Sequence, residues 1–290
     1  MRLSASIVFL LVSISIGCTG YTVYADKVWY GMNFDYPPES DIRFSVSELE
    51  SCRIFTMQFF DNERMMWITT VGMNEHGLFS SLQYQCPMIE GTPRQSEGQL
   101  YIYQLFNTAI NGCASVDEAE CIIDSVELVN LYDLTLHVLI ADPYGDALIA
   151  ETGDGEDLIT RINGDWIVMT NFKIADFIHT PPEEIVGVGD ERYRRALAYI
   201  EENYSSFALP EAIGTLEAAL NTDSVWSTKA SMIFDPVDRM VYIGIEGDFQ
   251  RIWKISMEQQ TIQTWSGFTK DRSAQVQGNG ITVPELRTWE

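Results

Sequence analysis

Histidine is scarce in this chain, with only His76, His137 and His179 in 290 residues, and no Cys-x-x-Cys pair occurs. That pattern argues against a zinc site, and neither a metal nor a cofactor is expected. Cations are few as well: 18 Lys and Arg stand against 42 Asp and Glu, a formal charge of −24. Such a chain repels a phosphate backbone and anionic lipid, so nucleic acid is not an expected partner. No apolar run reaches the roughly 20 residues that cross a bilayer, and the stretch within Ser4 to Ile16 falls short of it. Low-complexity tracts, internal repeats and linkers are missing too. Hydrophobic residues make up 46% of the chain, enough for one sizeable core.

What the N-terminus does contain is an export-type leader. A lone Arg2, the apolar run Ile7 to Val12 and the tail Ser15-Ile16-Gly17 place small residues at the third and first positions before Cys18. Residues 1–17 therefore read as a removable signal peptide or propeptide, and 18–290 as a single domain of a secreted or cell-surface protein. Cys18-Thr19-Gly20-Tyr21-Thr22-Val23-Tyr24 alternates like a β-strand. Cleavage after Gly17 leaves a cysteine whose free α-amine lies beside its own thiol, the arrangement an N-terminal nucleophile needs. Lipidation of Cys18 is the competing reading, but Ser15 and Ile16 match a lipoprotein signal poorly. The other four cysteines, Cys52, Cys86, Cys113 and Cys121, suit either two disulfides or buried free thiols.

Strand patterns follow at Val28–Asp35, Arg53–Phe60, Met65–Gly72 and Leu78–Tyr84. Helices are expected from Leu100 to about Asn111, and from the capping-box spacing Ser115…Glu118 toward Val126. Strands return at Leu134–Asp142, Asp146–Glu151 and Trp166–Asn171, and helices at Asp190–Asn203 and Pro210–Leu220. Strands near Ala230–Phe234, Met240–Ile245 and Arg251–Ile255 close the chain. Grouped strands and grouped helices imply an α+β fold, with two stacked antiparallel sheets between two helix layers.

Five segments then carry a resemblance. They are Cys18-Thr19-Gly20, Gly31-Met32-Asn33-Phe34-Asp35, Gly72-Met73-Asn74-Glu75-His76-Gly77-Leu78, Val168-Met169-Thr170-Asn171 and Glu191-Arg192-Tyr193-Arg194-Arg195-Ala196. In this order they resemble the choloylglycine hydrolase family of linear amide C–N hydrolases, which includes bile salt hydrolases and penicillin V acylases. The resemblance implies an N-terminal nucleophile hydrolase with a four-layer αββα sandwich. It also implies an enzyme that cuts the amide of a small N-acyl compound and, by analogy, a homo-oligomer.

Residue by residue, the resemblance makes Cys18 the nucleophile, Asp35 the holder of its amine and Asn171 an oxyanion donor. Arg192 steadies the site. The second oxyanion contact falls at Gln83 or Tyr84, since a one-residue offset leaves both eligible. Met32 departs from the family, which has arginine there; a thioether neither binds polar substrate nor lowers a thiol pKa. An inactive binding protein is thus the alternative to an amidase. Phe34, Phe59, Phe60, Tyr84 and Phe172 are candidate acyl-pocket aromatics.

Overall fold

A computed structural model describes residues 17–289, except 38–39, 50–51, 89–90, 93, 132–133, 154–156 and 224. The leader reading, apart from Gly17, lies outside the described residues. In chain order the first strands are β1 (Cys18–Tyr24), β2 (Val28–Asp35), β3 (Ile42–Leu49), β4 (Cys52–Asp61), β5 (Met66–Asn74), β6 (Phe79–Tyr84) and β7 (Gln99–Tyr101). Helices α1 (Ile102–Gly112) and α2 (Val116–Ile123) follow. Then come β8 (Glu127–Val129), β9 (Leu136–Ala141), β10 (Ala147–Thr152), β11 (Asp157–Arg161) and β12 (Trp166–Met169). Helices α3 (Asp190–Asn203) and α4 (Leu209–Ala218) precede β13 (Thr228–Asp235), β14 (Met240–Ile245), β15 (Asp248–Ser256), β16 (Thr261–Ser266), β17 (Ser273–Gln275), β18 (Ile281–Thr282) and α5 (Val283–Arg287).

Two eight-stranded antiparallel sheets result. One runs β12-β1-β2-β13-β14-β15-β16-β17, the other β11-β10-β9-β6-β5-β4-β3-β18. Alternation along each strand decides what fills each layer. Tyr30, Met32 and Phe34 of the first sheet meet Phe44, Phe55 and Phe79 of the second in a shared core. The opposite faces pack on helices: Leu82, Val138 and Ile140 under α1 and α2, and Tyr21, Val23 and Ile233 under α3 and α4. The expected αββα sandwich is therefore the observed fold.

Local details explain why certain motif residues stand where they do. A Cβ on Gly31 would lie 2.2 Å from the Tyr21 ring, so only glycine lets Tyr21 cross β2 and donate to Ala212 O at 2.7 Å. Asn74 Oδ1 accepts from the amides of His76 and Leu78, and its Nδ2 donates to Cys113 O at 2.8 Å. That motif asparagine is a turn keystone, not part of the site. Ser115 caps α2 as its spacing predicts, accepting from Glu118 N, but Glu118 reaches back to Ala114 N rather than to Ser115.

Several expectations need correction. Strand β3 and the closing strands β16 to β18 have no counterpart in the sequence reading. In β3, Arg43, Ser45, Ser47 and Glu48 dilute the apolar signal, although Ile42, Phe44 and Val46 are buried. Helix α1 starts at Ile102 because Gln99–Tyr101 pair with β8 in a small parallel ribbon. All five cysteines are free thiols, so the two-disulfide option does not hold.

Candidate active site

Cys18 opens β1 opposite Phe34, in a strand flanked by β2 on one side and β12 on the other. Its side chain is buried, 4% exposed. The backbone N–H of Cys18 donates to Asn171 Oδ1 at 2.9 Å. Arg192, third residue of α3, enters from the helix layer. Its guanidinium donates to Cys18 O at 2.5 Å, Thr19 Oγ1 at 3.0 Å and Asn171 Oδ1 at 2.8 Å. It also stands 3.4 Å from Asp35 Oδ2. Asp35 ends β2 and takes a 2.6 Å hydrogen bond on Oδ1 from Thr228 Oγ1. The structure thus brings Cys18, Asp35, Asn171 and Arg192 into one buried cluster.

The segment carrying Asn171 is pinned on both sides. Cys86 N donates to Asn171 O at 2.6 Å. Three residues on, the buried Glu151 carboxylate accepts from the amides of Ile174 and Ala175 and lies 3.0 Å from His137 Nδ1.

Asn171 differs from the expected arrangement. Its amide NH₂ does not point into open space but donates to Tyr84 O at 2.8 Å, while two donors converge on its Oδ1. Two converging donors determine which amide atom is oxygen, so here Asn171 grips the Cys18 nitrogen. Gln83 and Tyr84 both line the cavity in front of Cys18; the Gln83 amide is buried and has no hydrogen-bond partner. Met32 is not at the cavity. It packs in the core between the sheets, paired with Gly20 and Met232, one alternation deeper than Phe34.

That cavity measures about 490 Å³ and is walled chiefly by apolar and aromatic side chains, including Phe34, Tyr36, Phe59, Trp67, Leu134 and Leu136. Asp61 and Arg64 also contribute to its lining. Of the anticipated aromatics, Phe34, Phe59 and Tyr84 are present. Phe60 instead packs edge-on against Trp67, and Phe172 lies against Phe177 and Tyr193. Thr228 and Asn221 were not foreseen; Thr228 meets Asp35 only because β13 pairs with β2 across 193 positions.

Electrostatics follow from burial. Loss of water pushes the Cys18 thiol up to about 12; the Asp35 charge adds to this, and the Asp35 backbone amide and Arg192 oppose it. Burial likewise raises the Asp35 carboxyl to about 7, against the pull of Arg192, Thr228 and Asn221. An unfolded aspartate titrates near 3.9, so between about pH 4 and 7 the folded chain holds a proton that the unfolded chain releases. In the chain that keeps Gly17, stability is therefore expected to fall as pH rises through that window. Urea midpoints for wild type and Asp35→Asn across about pH 4.5–7.5 check this; equal slopes refute it.

Gly17 is held tightly in this cluster. A Cβ there would sit 2.7 Å from Asp35 Oδ2, and 2.8 Å from both Arg192 Nη2 and Asn221 Nδ2. Gly17→Val is accordingly expected to destabilise the chain that keeps residues 1–17 by about 1–3 kcal/mol, the usual cost of overpacking. Thermal melts of that chain would show it. A chain starting at Cys18 lacks the residue altogether and serves as the reference.

Residues 60–173 match the family described as linear amide C–N hydrolases, choloylglycine hydrolase family. That segment is similar to this family over 114 of the 290 residues. The activity in that family's description, linear amide C–N hydrolysis, is the one the sequence motifs imply. No curated protein matches the chain. Among solved structures it resembles a variant of the conjugated bile acid hydrolase of Clostridium perfringens at 16% identity and a TM-score of 0.65. That alignment covers 89% of this chain and 96% of the other. Penicillin V acylase from Agrobacterium tumefaciens is similar at 17% identity and a TM-score of 0.59, covering 85% and 90%. The fold is therefore that of these hydrolases. The matched segment includes Gln83, Tyr84 and Asn171, whereas Cys18, Asp35 and Arg192 lie outside it.

Proposed function

We propose that this chain, freed of residues 1–17 after export, hydrolyses the linear amide of a small N-acyl compound through a thioester on Cys18. The observation that carries this reading is the position of the Cys18 nitrogen, gripped by Asn171 beside Asp35 at an apolar cavity.

Removing Gly17 turns the Cys18 amide into an amine, which has a basic lone pair and more hydrogens to donate. One hydrogen keeps the Asn171 bond. Asp35 Oδ2, buried and without a hydrogen bond, is the acceptor for another. A free α-amine titrates near 7.7–8.0, so near neutrality a useful fraction can take the thiol proton. Sulfur then attacks the substrate carbonyl, and the protonated amine passes its proton to the departing nitrogen. Water, deprotonated by the same amine, cleaves the thioester and restores the thiol.

The developing oxyanion needs donors. Because the Asn171 amide is engaged with Tyr84 O, the unpartnered Gln83 amide is the available side-chain donor on the cavity wall. The acyl half fits the apolar walls, so an aromatic or extended apolar acyl group suits this cavity better than a charged one. The similar hydrolases act, by their names, on conjugated bile acid and penicillin V.

Burial of the Cys18 side chain disfavours lipidation, since a diacylglyceryl group there would have to fill the cavity in front of it. The test is a panel of N-acyl amides with phenylacetyl, phenoxyacetyl, straight-chain and steroid acyl groups, assayed on the 18–290 chain. Turnover with a trapped acyl-enzyme mass on Cys18 supports the proposal. A correctly trimmed, folded chain inert to the whole panel would defeat it and favour the inactive-relative reading.

A further inference from the structure

At one end of the second sheet, outside the cavity that Cys18 lines, three unlike donors converge. Cys52 begins β4, and Glu75 and His76 form the turn after β5. The register explains the meeting: Ile54 pairs with Asn74, so extending the ladder by two residues sets position 52 opposite position 76. The Cys52 sulfur, a Glu75 carboxylate oxygen and a His76 ring nitrogen all lie within 4.8 Å of one another. Cys52 is half-buried, while His76 is exposed and gives access from solvent. Among the described residues, neither the Glu75 carboxylate nor the His76 ring makes a hydrogen bond or ion pair.

We propose that Cys52, Glu75 and His76 form a binding site for a single zinc ion or a similar divalent transition metal. One thiolate, one imidazole and one carboxylate are the donor types zinc takes, whereas calcium and magnesium select oxygen alone. Tetrahedral zinc at about 2.0–2.3 Å from each donor brings the donors to roughly 3.3–3.6 Å apart. Closing the observed spacing to that calls for side-chain rotation of the exposed His76 and the half-buried Glu75. The backbone of the turn is already held: His76 N and Leu78 N donate to Asn74 Oδ1, and Arg239 Nε donates to Glu75 O at 2.8 Å. Binding releases the thiol proton to solvent, forms the metal–sulfur bond, and leaves a fourth position for water or an anion. The bound ion would clip the start of β4 to the β5–β6 turn.

This site stands apart from the reading of Cys18 and from the expectation of no metal. Cysteine and histidine 24 positions apart carry no recognisable spacing, and only strand pairing brings them together.

The test is titration of the purified, metal-free full chain with Co²⁺ as a spectroscopic probe, then displacement by Zn²⁺. A thiolate-to-cobalt charge-transfer band saturating at one equivalent is expected, unchanged in Cys18→Ser and abolished in Cys52→Ser. The exposed His76→Ala, which leaves packing intact, should weaken binding at least tenfold. No band, a band that survives Cys52→Ser, or full affinity in His76→Ala overturns the proposal.

Discussion

Replacing Cys18 by Ala in the leader-free chain is expected to lower amide turnover about 10⁴-fold or more, the scale seen when an enzyme loses its nucleophile. The melting temperature should change little, because β1 keeps its pairing on both sides and only a thiol is lost. A second arm isolates the amine. In the chain that retains Gly17, nitrogen is an amide and cannot act as a base, and burial holds the thiol near 12. At pH 7 that leaves about one thiol in 10⁵ ionised, so alkylation by iodoacetamide at Cys18 should be far slower than in the trimmed chain. Equal alkylation rates in the two forms would contradict the role given to the amine, whatever the substrate proves to be.

Arg192→Met should produce the largest loss of stability of any single change at the site. Arg192 is 4% exposed and Asp35 1%. Removing the guanidinium strands a buried carboxyl and leaves Cys18 O, Thr19 Oγ1 and Asn171 Oδ1 each short of a donor. Breaking a buried pair from one side costs about 3–5 kcal/mol. For a domain of this size that is a drop of about 6–20 °C in melting temperature. The double variant Arg192→Met/Asp35→Asn should recover part of the loss, since the uncompensated carboxyl is gone. No recovery would mean that Arg192 acts through packing and its other three bonds. Activity should fall in both variants, because Asn171 loses the donor that orients it.

Much of this was legible in the chain. The alternation from Cys18 to Tyr24, the turns at Asn74–Gly77 and Asp142–Gly145, and the capping serine at 115 are local signals that burial reinforced. Strand β3 was not legible, since its buried Ile42, Phe44 and Val46 are interleaved with Arg43, Ser45 and Ser47 and followed by Glu48. The disulfide question was open for a related reason: pairing depends on spatial approach, and none of the thiols is paired. Met32 shows a further limit. Its motif position suggested the site, yet strand alternation and depth put it in the core.

Sequence alone determined the things that depend on neighbours along the chain: a strand beginning at cysteine, the order of the main strands and helices, and the motifs that resemble an amidase family. Tertiary structure decided everything that requires distant residues to meet. Asn171 turns its oxygen toward Cys18 because Tyr84 O and Arg192 claim its two ends. Asp35 finds Thr228 across two paired strands, and Cys52 finds His76 across another pair. Each is a contact between positions too far apart for periodicity to encode, made specific by sheet register and by the cost of leaving a buried polar atom unpaired.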